Sequence, residues 1–229
     1  MPNPENILTN VATITPREMR SLIIKEYEAK NSPKALETQE GLRKAREACT
    51  LLFVGRPGIG KTSVAVQAGV EIAKQLGRIP LVLYMGYDET EIVMKVPKEA
   101  ISEIIEEAEK ESLITGEEAE RFRKALAEGK EKFLRSLDAA EARGLLISLA
   151  ERGKIFPVLV LRLDLLEVGD LLGYPVTAEY GFRRGKTTMF STPWYIELLV
   201  AARHGLLVLD EFTQIVDPVM RRKVNTIVR

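Results

Sequence analysis

One cysteine, one histidine and one tryptophan are all that 229 residues hold of these types. The lone Cys49 excludes an internal disulfide, fits a reducing cytoplasm and reads as a small core residue. The lone His204 leaves nothing for a zinc centre or a Ser-His-Asp triad that draws on further imidazoles. Its place near a helix end assigns it to the helix dipole instead of to chemistry. No stretch approaches the roughly 20 uncharged apolar residues that cross a bilayer. The opening MPNPENILTN has neither a basic segment nor an apolar one, so no secretory signal is visible and a cytoplasmic protein is expected. A charge excess is lacking too. Lys+Arg and Asp+Glu stand at 33 each, which argues against a protein that holds nucleic acid mainly through its own surface. Gln and Asn are scarce beside the many Glu, Lys and Arg, a bias that resembles a thermophile's.

What is present is ordinary for a chain that builds a core: 45% hydrophobic and 29% charged residues, enough for one large domain with a sizeable insertion. Thr15-Pro16-Arg17-Glu18 combines an N-cap, a Pro at N1 and a capping-box Glu. Met19, Leu22, Ile23 and Tyr27 then share one face of the helix that follows. Ser32-Pro33 repeats the start signal for a helix to about Ala48. The apolar run Leu51-Leu52-Phe53-Val54, stopped by Gly55, reads as a buried strand. A helix from Thr62 to about Gln75 ends at Gly77, and Pro80–Met85 reads as a second strand. Residues 97–153 change texture, dense in Glu, Lys, Arg and Ala, with Ile101, Ile104, Ile105 and Ala108 at helical spacing. They read as a helical insertion of two or three helices, with a second capping box at Thr115–Glu118 and stops at Gly129 and Gly153. A third strand covers Phe156–Leu163. Thr192-Pro193 opens a helix that packs through Trp194, Ile196 and Leu199 and closes at Gly205, and Leu206–Leu209 is a fourth strand. Strands alternating with helices predict a mostly parallel α/β sheet covered on both faces.

Residues 55–62 read GRPGIGKT and satisfy G-x-x-x-x-G-K-[ST]. Glycines let the backbone curl so that successive N–H groups point at oxyanions. Pro57 cannot donate, so the cradle falls to the amides of Gly58, Ile59, Gly60, Lys61, Thr62 and Ser63. Lys61 brings an ammonium to the β- and γ-phosphates, the Thr62 hydroxyl suits Mg²⁺, and the helix adds its positive end. The ligand expected is Mg²⁺–ATP. A second GKT core, Gly185-Lys186-Thr187, lacks the glycine spacing and the preceding strand, and reads with Arg183 and Arg184 as a basic hairpin.

The strand Leu206–Leu209 runs into Asp210-Glu211, and acids at the carboxyl end of a parallel strand meet the ligand crevice of an α/β sheet. Asp210 is expected to hold Mg²⁺, largely through water. Glu211 is expected to orient and deprotonate the attacking water. Asp164 and Asp170 also follow a strand and are poorer candidates; Asp170 reads as a helix cap.

GRPGIGKT at 55–62, GDLLGYP at 169–175 and TPWYIELLVAARHGLLVLDEF at 192–212 together resemble the AAA+ ATPases, in particular the MoxR-like and dynein-related group. The resemblance covers about half of the chain. It implies a P-loop NTPase three-layer sandwich, with residues 1–49 a helical lead-in and 50–229 the ATPase core carrying the insertion 97–153. It implies ATP hydrolysis by a ring, commonly a hexamer of identical chains, coupled to remodelling a protein partner, with Lys61, Thr62, Asp210 and Glu211 in the roles given. It also places the polar sensor, the arginine finger and the lid beyond Arg229, as if the chain were truncated after the Walker B segment; Arg221 and Arg222 read as a solvated helix face. A nucleotide-binding switch or scaffold without efficient turnover stands as an alternative, and a DNA-directed motor as a further one.

Overall fold

A computed structural model describes residues 13–31, 51–85, 98–127, 139–166, 175–180, 185–211 and 218. The helix expected over 32–48, the stop at Gly129, and Cys49, Asp170, Arg183, Arg184, Arg221 and Arg222 lie outside the described residues. The chain divides into two units, 1–68 and 69–229.

In the first unit, helix α1 (Pro16–Asn31) begins where its capping box dictates. The Thr15 N–H and hydroxyl donate to Glu18 Oε2 at 2.7 and 2.8 Å, and the Glu18 N–H returns to Thr15 Oγ1 at 3.3 Å. Met19 and Ile23 are buried, whereas Leu22 of the same expected face is 38% exposed. Leu51–Val54 corrects the sequence reading: it is not a strand, and Leu52 and Val54 are 69% and 70% exposed. An apolar run becomes a strand only when a neighbour completes its ladder, and no strand is described in residues 1–68 to supply one. Helix α2 (Lys61–Gln75) follows the glycine-rich turn at 55–60, and the division between the units falls within it.

Helix α2 ends at Gly77, whose φ of 65° completes a C-terminal motif. The Gly77 N–H donates to Lys74 O at 3.1 Å and the Arg78 N–H to Ala73 O at 2.9 Å. The second unit then adds β1 (Ile79–Met85), α3 (Lys98–Lys110), α4 (Gly116–Ala127), α5 (Ala139–Glu151), β2 (Ile155–Arg162), β3 (Pro175–Tyr180), β4 (Gly185–Phe190), α6 (Trp194–Ala202) and β5 (Leu206–Asp210). Strands β1, β2 and β5 form a parallel sheet in that order, and β3 pairs with β4 antiparallel. The chain is therefore α/β, as its alternating pattern predicts.

Strand β2 lies in the middle and is buried from Ile155 to Leu161, so both of its faces are covered. Its odd-numbered residues, Leu159 and Leu161, join Leu81 and Leu83 of β1 in a cluster with Ile104 of α3, Leu149 of α5 and Leu198 of α6. Each such leucine, fully buried, contributes about 1.5–3 kcal/mol. The opposite face packs on α2 at Gly69, where an added Cβ would stand 2.6 Å from Val158 Cγ2 and 3.2 Å from Leu206 Cδ2. Glycine there lets helix and sheet close up. Helix α4 sits outside the main cluster and joins α3 through Ile105, Ala119 and Phe122. Its capping box at Thr115 and Glu118 forms as expected, with the Thr115 N–H 2.7 Å from Glu118 Oε2.

Helix α6 buries Tyr195, Leu198 and Ala202, whereas Trp194, Ile196 and Leu199 are only partly covered. Apolar residues all round a short helix leave the buried line to be chosen by the neighbours. The helix stops not at Gly205 but at Arg203, which takes φ 56° and donates its N–H to Val200 O at 3.2 Å. Gly205 serves a different need. A Cβ on it would lie 2.9 Å from the Pro157 carbonyl oxygen and would strike Leu199. Gly205→Ala is expected to destabilise by about 1–3 kcal/mol, because β2 backbone cannot retreat cheaply. A lower urea midpoint at unchanged slope is the measurement.

Lys154, just ahead of β2, donates to Glu107 and Glu111 of the α3 end at 2.8 Å each, and Arg152 reaches Glu111 at 2.7 Å. Hydrogen bonding from Lys154 holds both carboxyls below their ordinary value of 4.5 and holds Lys154 above its own. The carboxylates' stabilisation is complete above 4.5 and is lost as pH falls through the lowered values. Lys154→Met is expected to flatten that acid limb of the unfolding profile modestly, since the pairs face water.

Among the described residues, no helix is long and apolar enough to cross a membrane.

Candidate functional site

The phosphate-loop motif is a real turn into a helix. Gly58 and Gly60 have φ of 77° and 86°, the left-handed region where a side chain is strained, so both glycines of GIGK are required by the backbone itself. Gly55 meets a different constraint: a Cβ there would stand 2.8 Å from Ile59 Cδ1 and 3.8 Å from Lys61 Cδ. The first helical hydrogen bond of α2 runs from the Val64 N–H to Gly60 O at 2.9 Å. Gly60 is thus the N-cap, and the N–H groups of Lys61, Thr62 and Ser63 precede any intrahelical bond.

This helix start differs from the two others described above. Helices α1 and α4 satisfy their first turns with Thr and Glu side chains, whereas α2 has a side-chainless cap and no acid in its first turn. It carries Lys61 there instead, a cation at the positive end of a helix dipole. That placement is unfavourable by itself and becomes favourable when an anion occupies the turn. The Lys61 ammonium curls back and donates to the carbonyls of Gly55 and Arg56, 3.0 Å each. These carbonyls hold it at the mouth of the loop. Thr62 is half-buried and Ser63 exposed. Pro57 and Ile59 lie in the turn, and Ile59 is 57% exposed. Backbone donors, a lysine and a hydroxyl at a helix N-terminus fit a polyphosphate.

The acidic pair belongs to the second unit. Asp210 is the last residue of β5 and Glu211 follows it. Asp210 Oδ1 accepts the Glu211 N–H at 3.0 Å, and the Asp210 carbonyl accepts the Leu163 N–H at 3.1 Å. Glu211 takes φ 54°. A single left-handed residue of this kind costs about 1–2 kcal/mol, and such residues gather at functional sites. Among the described residues no group of three or more His, Cys, Asp or Glu side chains is arranged to hold a metal.

One feature was not singled out from the sequence. Arg162 stands opposite Asp210 in the β2–β5 register and forks onto Asp164, with Nε 3.0 Å from Oδ1 and Nη2 3.1 Å from Oδ2. The visible signal was an arginine closing the buried run VLVLR, where the chain has otherwise excluded charge.

The second GKT core lies in β4, where Gly185–Phe190 pairs with Pro175–Tyr180. It opens no helix and lies in an antiparallel strand pair, unlike the turn into α2 at 55–62. Burial, and secondarily Arg78, push the His204 imidazole below the ordinary 6.5. At the same helix end, Arg78 Nη1 stands 3.4 Å from Ala202 O of α6.

Comparison with protein-family models, with curated proteins and with solved structures gives no match for this chain. Its own chemistry must carry the functional reading.

Proposed function

We propose that this chain binds Mg²⁺–ATP and hydrolyses it, as the core of an AAA+ ATPase of the MoxR-like group that acts on a protein partner. The observation that carries the reading is the turn into α2, shaped by left-handed Gly58 and Gly60 and carrying a lysine and no acid in the first helical turn, inside a complete GRPGIGKT motif. In this reading the amides from Gly58 to Ser63 take the phosphate oxygens, and Lys61 leaves its two carbonyls for the β- and γ-phosphates. Thr62 and Asp210 serve the metal side. Glu211 orients the attacking water and accepts its proton. Mg²⁺ would be held from the protein side by Thr62 and Asp210 and would supply positive charge against the charge that develops on the phosphate. The order strand, hairpin, helix, acidic strand over 155–210 agrees with the resemblance of GDLLGYP and TPWYIELLVAARHGLLVLDEF to that group.

Steady-state phosphate release with Mg²⁺–ATP tests the proposal, run beside Glu211→Gln. Turnover in the parent chain that is lost in the variant is expected. Equal rates sink the enzyme and leave a nucleotide-binding switch or scaffold; stimulation by DNA with a steep salt dependence turns the reading towards a DNA motor.

A further inference from the structure

On the reading that the turn at 55–62 receives a polyphosphate, we infer that Ile59 is a positioning residue for Lys61, acting through Gly55. The three glycines of the turn answer to two different needs. Gly58 and Gly60 hold φ of 77° and 86°, where a side chain is strained whatever surrounds it. Gly55 takes no left-handed φ, so its backbone conformation does not call for glycine. What excludes a side chain there is a single atom. A Cβ on Gly55 would meet the terminal methyl of Ile59, Cδ1, at 2.8 Å, closer than unbonded carbon atoms pack. The next neighbours, Lys61 Cδ at 3.8 Å and Ile59 Cγ1 at 3.9 Å, stand at ordinary van der Waals distance. The Ile59 side chain therefore folds back across the turn onto residue 55.

Gly55 is also one of the two residues that hold the lysine. Its carbonyl and that of Arg56 each accept from Lys61 Nζ at 3.0 Å. The end of Ile59 and the stem of Lys61 both flank the position that a Gly55 Cβ would take. The methyl contact holds Gly55 within the turn, and Gly55 offers its carbonyl to the ammonium. An apolar side chain suits this task, because it competes for hydrogen bonds with neither the amides of the turn nor the lysine. A turn already closed before the nucleotide arrives has less freedom to lose on binding, and there the contact enters the affinity. Ile59 is 57% exposed, so the contact is worth one methyl group and not a whole side chain.

Calorimetric titration of Mg²⁺–ATP into the full chain tests the assignment by moving one methyl group from residue 59 to residue 55. Ile59→Val removes Cδ1 and keeps the β-branched stem, and is expected to weaken binding about 3- to 4-fold, the worth of one buried methyl group. Gly55→Ala drives the same methyl off its seat and is expected to weaken binding about 3- to 10-fold. The two substitutions together put a Cβ into the room that Cδ1 leaves and conserve the volume of the turn. That double variant is expected to bind within about twofold of the parent, so the two losses do not add. Nucleotide-free melting temperatures stay level across the set. If Gly55→Ala alone does not fold, the double variant decides by folding and binding or by failing to. Single variants that bind like the parent, a double variant as weak as the two losses combined, or affinities that merely follow the melting temperatures overturn the positioning role. A parent chain that does not bind Mg²⁺–ATP, or a Lys61→Ala variant with unchanged affinity, overturns the underlying phosphate-loop reading.

Discussion

Lys61→Ala is expected to abolish measurable ATP binding while leaving the chain folded. Removing one member of a hydrogen-bonded charge pair held away from water costs about 2–5 kcal/mol, a rise in Kd of roughly 30- to several thousand-fold. The fold has little stake in this side chain: its only described bonds are two exposed contacts to the carbonyls of Gly55 and Arg56. Those carbonyls can turn to water once the ammonium is gone. The amides at the start of α2 remain, so a trace of phosphate affinity persists, too weak to hold a nucleotide at micromolar concentration. A calorimetric titration decides, with a thermal melt to show that the variant is folded. Unchanged affinity refutes the phosphate-loop reading outright.

Glu211→Gln should give the opposite separation, with ATP bound nearly as well and phosphate release reduced about 10²- to 10⁴-fold, the usual worth of a positioned proton acceptor. The amide keeps the size of the carboxylate and cannot take a proton. The backbone offers a second and more telling replacement. Glu211 holds φ at 54°, where glycine pays nothing, so Glu211→Gly should raise the unfolding midpoint while being as inactive as the glutamine variant. Stability gained together with turnover lost identifies a residue kept against the preference of its own backbone. A glycine variant that is less stable, or that still turns over, removes the grounds for giving Glu211 a chemical role.

Features that depend on a few neighbouring residues were legible in the sequence. Thr15–Glu18 and Thr115–Glu118 announced their helices because a capping box is closed within one turn. Gly58, Gly60 and Gly77 were legible because a backbone in the left-handed region needs glycine whatever surrounds it. Pairing is another matter. Leu51–Val54 has the composition of a buried strand, yet no residue inside the run states whether a partner completes its ladder, and it forms no strand, with Leu52 and Val54 exposed. The buried line of α6 could not be chosen from nine mostly apolar residues. Arg162 was passed over for the same reason: it stands opposite Asp210, 48 positions away, and only the register brings the two into correspondence.

The stretch between β1 and β2 that reads as a helical insertion holds α3, α4 and α5, and these helices differ in what they cover. Ile104, Ala108, Leu146 and Leu149 help to roof the sheet, so excising α3 or α5 would strip Leu83, Leu159 and Leu161 of their cover. Only α4 leans on a private cluster with α3. Variation in chain length is therefore tolerable at one hairpin of helices and forbidden on either side of it. A homologous chain shortened here should lose α4 first, and one that has lost α3 or α5 must have rewritten the upper surface of its sheet in polar residues.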